Sequence, residues 1–222
     1  MTAILPRACI EEIERLQRKF IWGDTQNTRK YHAIGWETIT KPKSHGGLGL
    51  RRLAEMNKAC IFKLVWKLQN GVNELWCQIL FGKYQRGIGN DNVVAKGTDS
   101  SLWKEIVKAW PKLLEASFWS IRDGRSVDLC NHKWIDEDTR LIDMSIDIPV
   151  QFRNAKVKDL VDDYGAWNWS DFQNWLPEQL MLKIAAIPPP DIDAGDDKRL
   201  LKGAREGEIF HLDDDSWKNF NK

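Results

Sequence analysis

"KPKSHGGLGLRRLAEMNKACIFKLVWKLQ", residues 41–69, decides how this chain is to be read. Its first half packs Gly46, Gly47 and Gly49 between basic side chains, and its second half is a run of helix formers. A phosphate-cradling loop feeding a helix would announce a nucleotide-binding enzyme. A tight turn between packed elements would announce a helical protein whose chemistry lies elsewhere. A Walker loop needs G-x-x-x-x-G-K-[ST], yet these glycines stand too close together, and Arg51 and Arg52 follow where Lys-Ser or Lys-Thr is required. The dinucleotide pattern G-x-G-x-x-G is met only by its first three positions, Gly47-Leu48-Gly49. The glycines therefore read first as a turn needing positive φ. Exposed backbone N–H groups before a helix N-terminus keep phosphate binding open. The flanking Lys41, Lys43, Arg51 and Arg52 read as phosphate contacts.

The rest of the stretch is the strongest helix signal in the chain. Leu53, Met56, Cys60, Leu64 and Leu68 form its apolar stripe, and Arg51 stands four residues before Glu55. Upstream, residues 9–21 repeat the pattern with Ile10, Ile13, Leu16 and Phe20, and Gly23 marks the stop. "AIGWETI" reads as a strand or one helical turn, and "ELWCQILFGKY" as another helix. Residues 87–100, rich in Gly, Asn and Asp, read as a boundary or exposed loop. Ser100 or Ser101 caps a helix over "SSLWKEIVKAW", which Pro111 breaks or restarts. Asp123-Gly124 between short apolar segments signals a β-hairpin. Pro177 splits two short helices carrying Phe172, Trp175, Leu176, Leu180 and Ile184. Three prolines at 188–190 open an acidic tail.

The fold class expected is mainly α. It comprises a small helical bundle over residues 1–90, a helical connection over 91–187 with a β-hairpin near 118–130, and a disordered acidic tail over 188–222. Twelve tryptophans spread from Trp22 to Trp217 give each local unit an aromatic anchor. The net charge of +1 hides a division: residues 1–90 hold 15 Lys+Arg against 7 Asp+Glu, and residues 91–222 hold 18 against 25. A basic first part suits a polyanion, although a solvated helical face would give the same composition.

Chemistry is harder to find. Cys9, Cys60, Cys77 and Cys130 lack CxxC spacing, and Cys130 with His132 forms only a lone C-x-H, so no metal site is expected. Cys60 reads as a small buried hydrophobe. The cysteines suit a reducing, intracellular compartment, nuclear or cytoplasmic. The charged N-terminus lacks a secretory h-region, and no apolar run is long enough to span a membrane. Asp162 and Asp163 in "DLVDDYG" could supply two carboxylates of a two-metal site, but the residue before the pair is not aromatic as in polymerases, and a third acid would have to converge. No G-x-S-x-G is present. These residues carry no catalytic assignment, no cofactor and no small-molecule substrate.

Several blocks together resemble plant LINE-type (non-LTR) retrotransposon polyproteins, in the stretch just after the reverse-transcriptase palm. They are "LPRACIEEIERLQRKFIWG", "GWETITKPKSHGGLGLRRLAEMNKACIFKLVWKL", "LWCQILFGKY", "FWSIRDGRSVDLCNHKWI" and "VKDLVDDYGAWNWSDFQNWLP", spread over residues 1–185. The first blocks match the family's F-[LI]-W-G, P-K-x-x-G-G-L-G-[LI] and N-K-A patterns closely; the later ones are looser. The acidic residue before the family's second tryptophan is absent from Leu129 to Trp134, and Asp196 or Asp197 stands where the family continues towards a zinc-binding-like module and RNase H. The resemblance implies a non-catalytic thumb-and-connection fragment of an RNA-directed DNA polymerase, with the palm aspartates upstream. Its expected partner is template–primer RNA/DNA duplex, gripped through Arg18, Lys19, Lys41, Lys43, Arg51 and Arg52, with Trp36 packed beneath the loop. The alternative is a structural or protein-interaction module without nucleic-acid binding. An enzyme resting on Asp162 and Asp163 ranks last.

Overall fold

The computed structural model describes residues 4–25, 27–28, 30–71, 73–84 and 93–202. The chain is mainly helical, with one two-stranded antiparallel sheet among the described residues. It forms two compact units, 1–111 and 112–222. The division falls later than the composition placed it, inside a helix rather than within the Gly/Asn/Asp-rich segment. The charge follows it: residues 1–111 hold 18 Lys+Arg against 10 Asp+Glu, and residues 112–222 hold 15 against 22. Among the described residues no helix is long and apolar enough to cross a membrane.

In the first unit, α1 spans Arg7–Trp22. It ends in a Schellman turn: Gly23 takes φ +68°, its N–H donates to the Phe20 carbonyl at 3.2 Å, and the Asp24 N–H donates to Lys19 O at 2.8 Å. A single helical turn, α2 (Trp36–Ile39), follows from "AIGWETI". Residues 41–52 then fold back tightly. Gly46 and Gly49 sit at φ +77° and +71°, where side chains are strained. Gly47 is needed for another reason: a Cβ there would lie 2.0 Å from the Lys41 carbonyl oxygen. The four N–H groups from Gly46 to Gly49 donate inward, to Lys43 O, Pro42 O, Ile39 O and Lys41 O at 2.9–3.1 Å. The glycine segment is thus a turn, and the N–H groups of residues 46–49 are already paired.

The turn delivers α3 (Leu53–Gln69) and then α4 (Leu75–Lys83). The buried face of α3 is Asn57, Ala59, Ile61, Phe62, Val65 and Leu68, which shares only Leu68 with the stripe read from spacing; Met56 is exposed, and Leu53, Cys60 and Leu64 are half-buried. The second half of α3 is apolar nearly all round, so periodicity alone does not choose a face. The helix α5, Ser101–Glu115, carries Trp103, Ile106 and Trp110 into the core, with Trp103 stacked on Tyr84 at 4.4 Å. The Ser100 hydroxyl caps it, accepting the Trp103 N–H at 3.3 Å. The helix runs straight through Pro111 instead of stopping. Proline removes one backbone bond, and burial of the flanking Trp110 and Leu113 outweighs that loss.

The second unit is built largely from turns around one apolar cluster that includes Leu129, Trp134, Leu141, Phe152, Leu160, Phe172, Leu180 and Ile184. As expected, Pro177 separates two short helices, α6 (Trp169–Phe172) and α7 (Glu178–Ala185). The Trp134 and Trp167 indoles donate to Leu129 O at 2.9 Å and Ile187 O at 3.0 Å, which satisfies their polar edges inside the cluster. The strand β1 (Ser117–Ser120) pairs antiparallel with β2 (Lys198–Leu201), Phe118 facing Leu200. The sheet's second strand is thus not the segment after Asp123-Gly124. The segment expected to begin a disordered tail at 188 carries this strand, and residues 203–222 lie outside the described residues.

One carboxylate fixes the geometry of that sheet. Asp197 accepts the backbone N–H groups of Arg122 at 2.7 Å, Gly124 at 2.9 Å and Ser126 at 3.0 Å. Gly124 is required here: it sits at φ +66°, and a Cβ would meet the Lys158 nitrogen at 2.7 Å. Lys133, 5% exposed, donates to Glu115 O at 2.7 Å and Glu115 Oε1 at 2.6 Å, a cation at the end of α5. Asp136 links its own turn to α7: it accepts from the Asp138 N–H at 2.9 Å, the Thr139 N–H at 2.7 Å and Lys183 Nζ at 2.6 Å. Burial alone would raise its carboxyl pKa, but the Lys183 and Thr139 hydrogen bonds outweigh it and hold the group well below the usual carboxylate range.

Substituting Gly47→Ala forces backbone apart and destabilises the protein by about 1–3 kcal/mol, read as a lower urea midpoint. The Asp197→Ala variant leaves three N–H groups without their carboxylate and loses about 2 kcal/mol in the same measurement. Because the folded pKa of Asp136 is depressed, its contribution is full above the unfolded value and is lost as pH falls below about 4. Stability measured from pH 6 down to pH 2 therefore declines less steeply in Asp136→Asn than in the unaltered chain.

Candidate nucleic-acid interface

All six basic residues singled out in the sequence lie in the first unit. Lys41, Lys43, Arg51 and Arg52 are exposed, and Arg18 and Lys19 are half-buried on the last turns of α1. Arg52 approaches Glu37 at 3.9 Å, a long contact between exposed groups that is worth little. The stem of Lys43 runs beside Gly49, where a Cβ would meet its Cγ at 3.4 Å, an ordinary contact, so the positive φ and not space restricts that position.

Trp36 connects two of these regions. The Arg18 guanidinium lies over its ring, 5.5 Å from the centroid. Its indole N–H donates to Glu14 Oε2 at 3.2 Å, and Glu14 Oε1 accepts the Leu53 N–H at 3.3 Å. Glu14 is 8% exposed and is the one buried residue of α1. Arg52, the residue before α3, makes no side-chain cap, so the Glu14 carboxylate closes the first turn of α3 from another element. Trp36 is therefore tied through Glu14 to the start of α3 and lies under Arg18. Glu14 escapes a reading by periodicity because an acid among other acids on α1 looks like a solvated face.

Position also separates side-chain from backbone chemistry. With the N–H groups of residues 46–49 turned inward, the loop offers an anion no backbone nest there. At residues 46–49 a phosphate would therefore meet the neighbouring lysine and arginine side chains rather than the backbone.

A second group escaped the sequence reading. Arg15 joins Arg18 and Lys19 along a cleft of about 580 Å³, lined on its other side by Asp24, Thr25, Asn27, Thr28 and His32. In that segment His32 stacks on Trp22 at 5.4 Å and pairs with Asp24 at 3.1 Å.

The acidic and cysteine candidates resolve into structure. Asp162 Oδ1 accepts the Tyr164 and Ala166 N–H groups at 2.9 and 3.0 Å, which makes "DDYG" an Asx turn. Cys130 is buried with its thiol 3.3 Å from the Phe152 carbonyl, and burial pushes its pKa up. His132 Nδ1 accepts the Asp128 N–H at 2.9 Å, a bond that requires the neutral ring. Among the described residues no three His, Cys, Asp or Glu side chains are grouped to hold a metal ion.

No protein-family description matches the chain, and no solved structure matches it. The chain is similar to an Arabidopsis thaliana protein provisionally named as a ribonuclease H protein. The two are 26% identical over 211 residues, covering 94% of this chain and 34% of the relative. The chain spans about a third of the length of that curated relative.

Proposed function

We propose that this chain is a non-catalytic segment of a plant LINE-type retrotransposon polyprotein, from the thumb and connection region, and that it holds template–primer duplex without sequence selectivity. The carrying observation is the excess of basic residues in the first unit, with Lys41, Lys43, Arg51 and Arg52 exposed around a loop whose backbone donors are spent. Side-chain cations beside a turn whose 46–49 N–H groups are paired give affinity through counterion release, which is indifferent to sequence. The relative supports the reading. Ribonuclease H chemistry acts on RNA paired with DNA, the duplex a reverse transcriptase makes, and this chain matches a third of a protein so named.

A second reading, a protein-interaction module, is favoured by one observation. The apolar stripe of α1 is largely uncovered: Ile13 is 39% exposed, Leu16 53% and Phe20 87%. Such a stripe on an amphipathic helix is normally the face that packs.

A filter-binding titration with RNA/DNA hybrid separates the two. The grip reading expects saturable binding at low salt that weakens steeply as salt rises. Replacing Arg51 and Arg52 with alanine reduces the slope of log K against log salt by about 2, equally for unrelated sequences. Absence of duplex affinity at low salt rejects this reading and leaves the interaction module. Polymerase or nuclease activity with Mg²⁺ that disappears in Asp162→Asn/Asp163→Asn rejects the non-catalytic assignment.

A further inference from the structure

We infer that the cleft between the second half of α1 and Asp24, Thr25, Asn27, Thr28 and His32 is a subsite for a single phosphate group of a bound nucleic-acid strand. It rests on the reading of the first unit as a phosphate-contacting surface, and it adds a discrete site where that reading requires only a basic face. Arg15, Arg18 and Lys19 stand at i, i+3 and i+4, so they share one side of α1 and line one wall. Thr25, Asn27 and Thr28 line the other with hydroxyl and amide groups.

Two of the cations are held before any ligand arrives. The Trp36 ring supports Arg18 at 5.5 Å, and Glu12 holds Arg15 through Nε at 2.8 Å and Nη2 at 2.5 Å. Ordering long side chains in advance lowers the entropic cost of binding. The one acid lining the cleft, Asp24, is already engaged: its carboxylate accepts the Lys30 N–H at 2.9 Å and faces His32 Nε2 at 3.1 and 3.3 Å. The His32 ring is in turn pinned against Trp22.

The opposing effect is the C-terminal end of α1, worth roughly half a negative charge. Three cations against two carboxylates, Asp24 in the lining and Glu12 paired with Arg15, leave the cleft about half a charge positive after that subtraction. The Arg18 guanidinium, the Lys19 ammonium and neutral hydroxyl donors suit a tetrahedral oxyanion with several acceptor oxygens. At about 580 Å³ the cleft also has room for the sugar carrying the phosphate.

The test is a ¹H–¹⁵N NMR titration of the full chain with inorganic phosphate, ionic strength held constant with chloride. The expected result is saturable shifts at Thr25, Asn27, Thr28 and the Arg15 and Arg18 side chains. Affinity falls about tenfold in Arg18→Gln/Lys19→Gln and by a smaller factor in Lys19→Gln, which keeps the Arg18–Trp36 contact and so guards against a folding artefact. Exposed lysines of the other unit, changed in Lys158→Gln/Lys198→Gln, leave it unaltered. Shifts that never saturate, or that persist in both cleft variants, overturn the subsite, as does an oligoglutamate that binds the cleft as tightly as phosphate. If phosphate still binds at the cleft while hybrid duplex does not bind at all, the subsite stands and the duplex-holding function falls. If duplex binds normally and phosphate does not, the subsite alone falls.

Discussion

Backbone N–H groups with nowhere to go are the constraint around which both units are arranged. In each unit a single carboxylate, distant in sequence, meets it. Glu14 reaches across 39 residues to cap α3 at Leu53, and Asp197 reaches back over 71–75 residues to the N–H groups of Arg122, Gly124 and Ser126. Unpaired donors at a helix start or in a tight loop are costly, and a carboxylate satisfies them with charge-assisted bonds. Glu14 does more than cap, because its other oxygen holds the Trp36 indole and so places the ring beneath Arg18. Asp197 immediately precedes β2, so the same contact that closes the 122–126 loop brings β2 beside β1.

The same accounting shapes what the basic loop can do. A glycine-rich turn binds phosphate through its backbone only if the N–H groups face outward. Here Gly46, Gly47, Leu48 and Gly49 all donate to carbonyls of residues 39–43, so the turn is self-satisfied. Its glycines serve positive φ at two positions and close approach at a third. What remains for a polyanion is a set of long cationic side chains. That chemistry is tolerant of sequence and geometry and sensitive to salt.

The first helix shows the limit of amphipathicity as a guide to packing. Its stripe of Ile13, Leu16 and Phe20 is the pattern that predicts a buried face, yet the residue it buries is Glu14. Glu14 is held inward by its capping contact, while Ile13, Leu16 and Phe20 of the stripe face solvent and Ile10 is half-buried. A helix held by its carboxylate rather than by its hydrophobes has surface to spare for another element.

Local rules carried much of the secondary structure. The helices α1, α3 and α5, the Ser100 cap, the Gly23 stop and the Pro177 break all follow from residues within a few positions of one another, because helix bonds and caps are local. The charge division and the turn character of residues 41–52 were legible for the same reason. The sequence by itself thus determined a mainly helical chain with a basic first part and a glycine turn. Only the tertiary structure decided which face of α3 is buried, that α5 passes through Pro111, that β1 pairs with a strand some 80 residues away rather than across Asp123-Gly124, and that Arg15, Arg18 and Lys19 share a cleft with Thr25, Asn27 and Thr28. Those outcomes depend on long-range satisfaction of backbone donors and on burial against distant neighbours, neither of which leaves a periodic trace in the residues nearby.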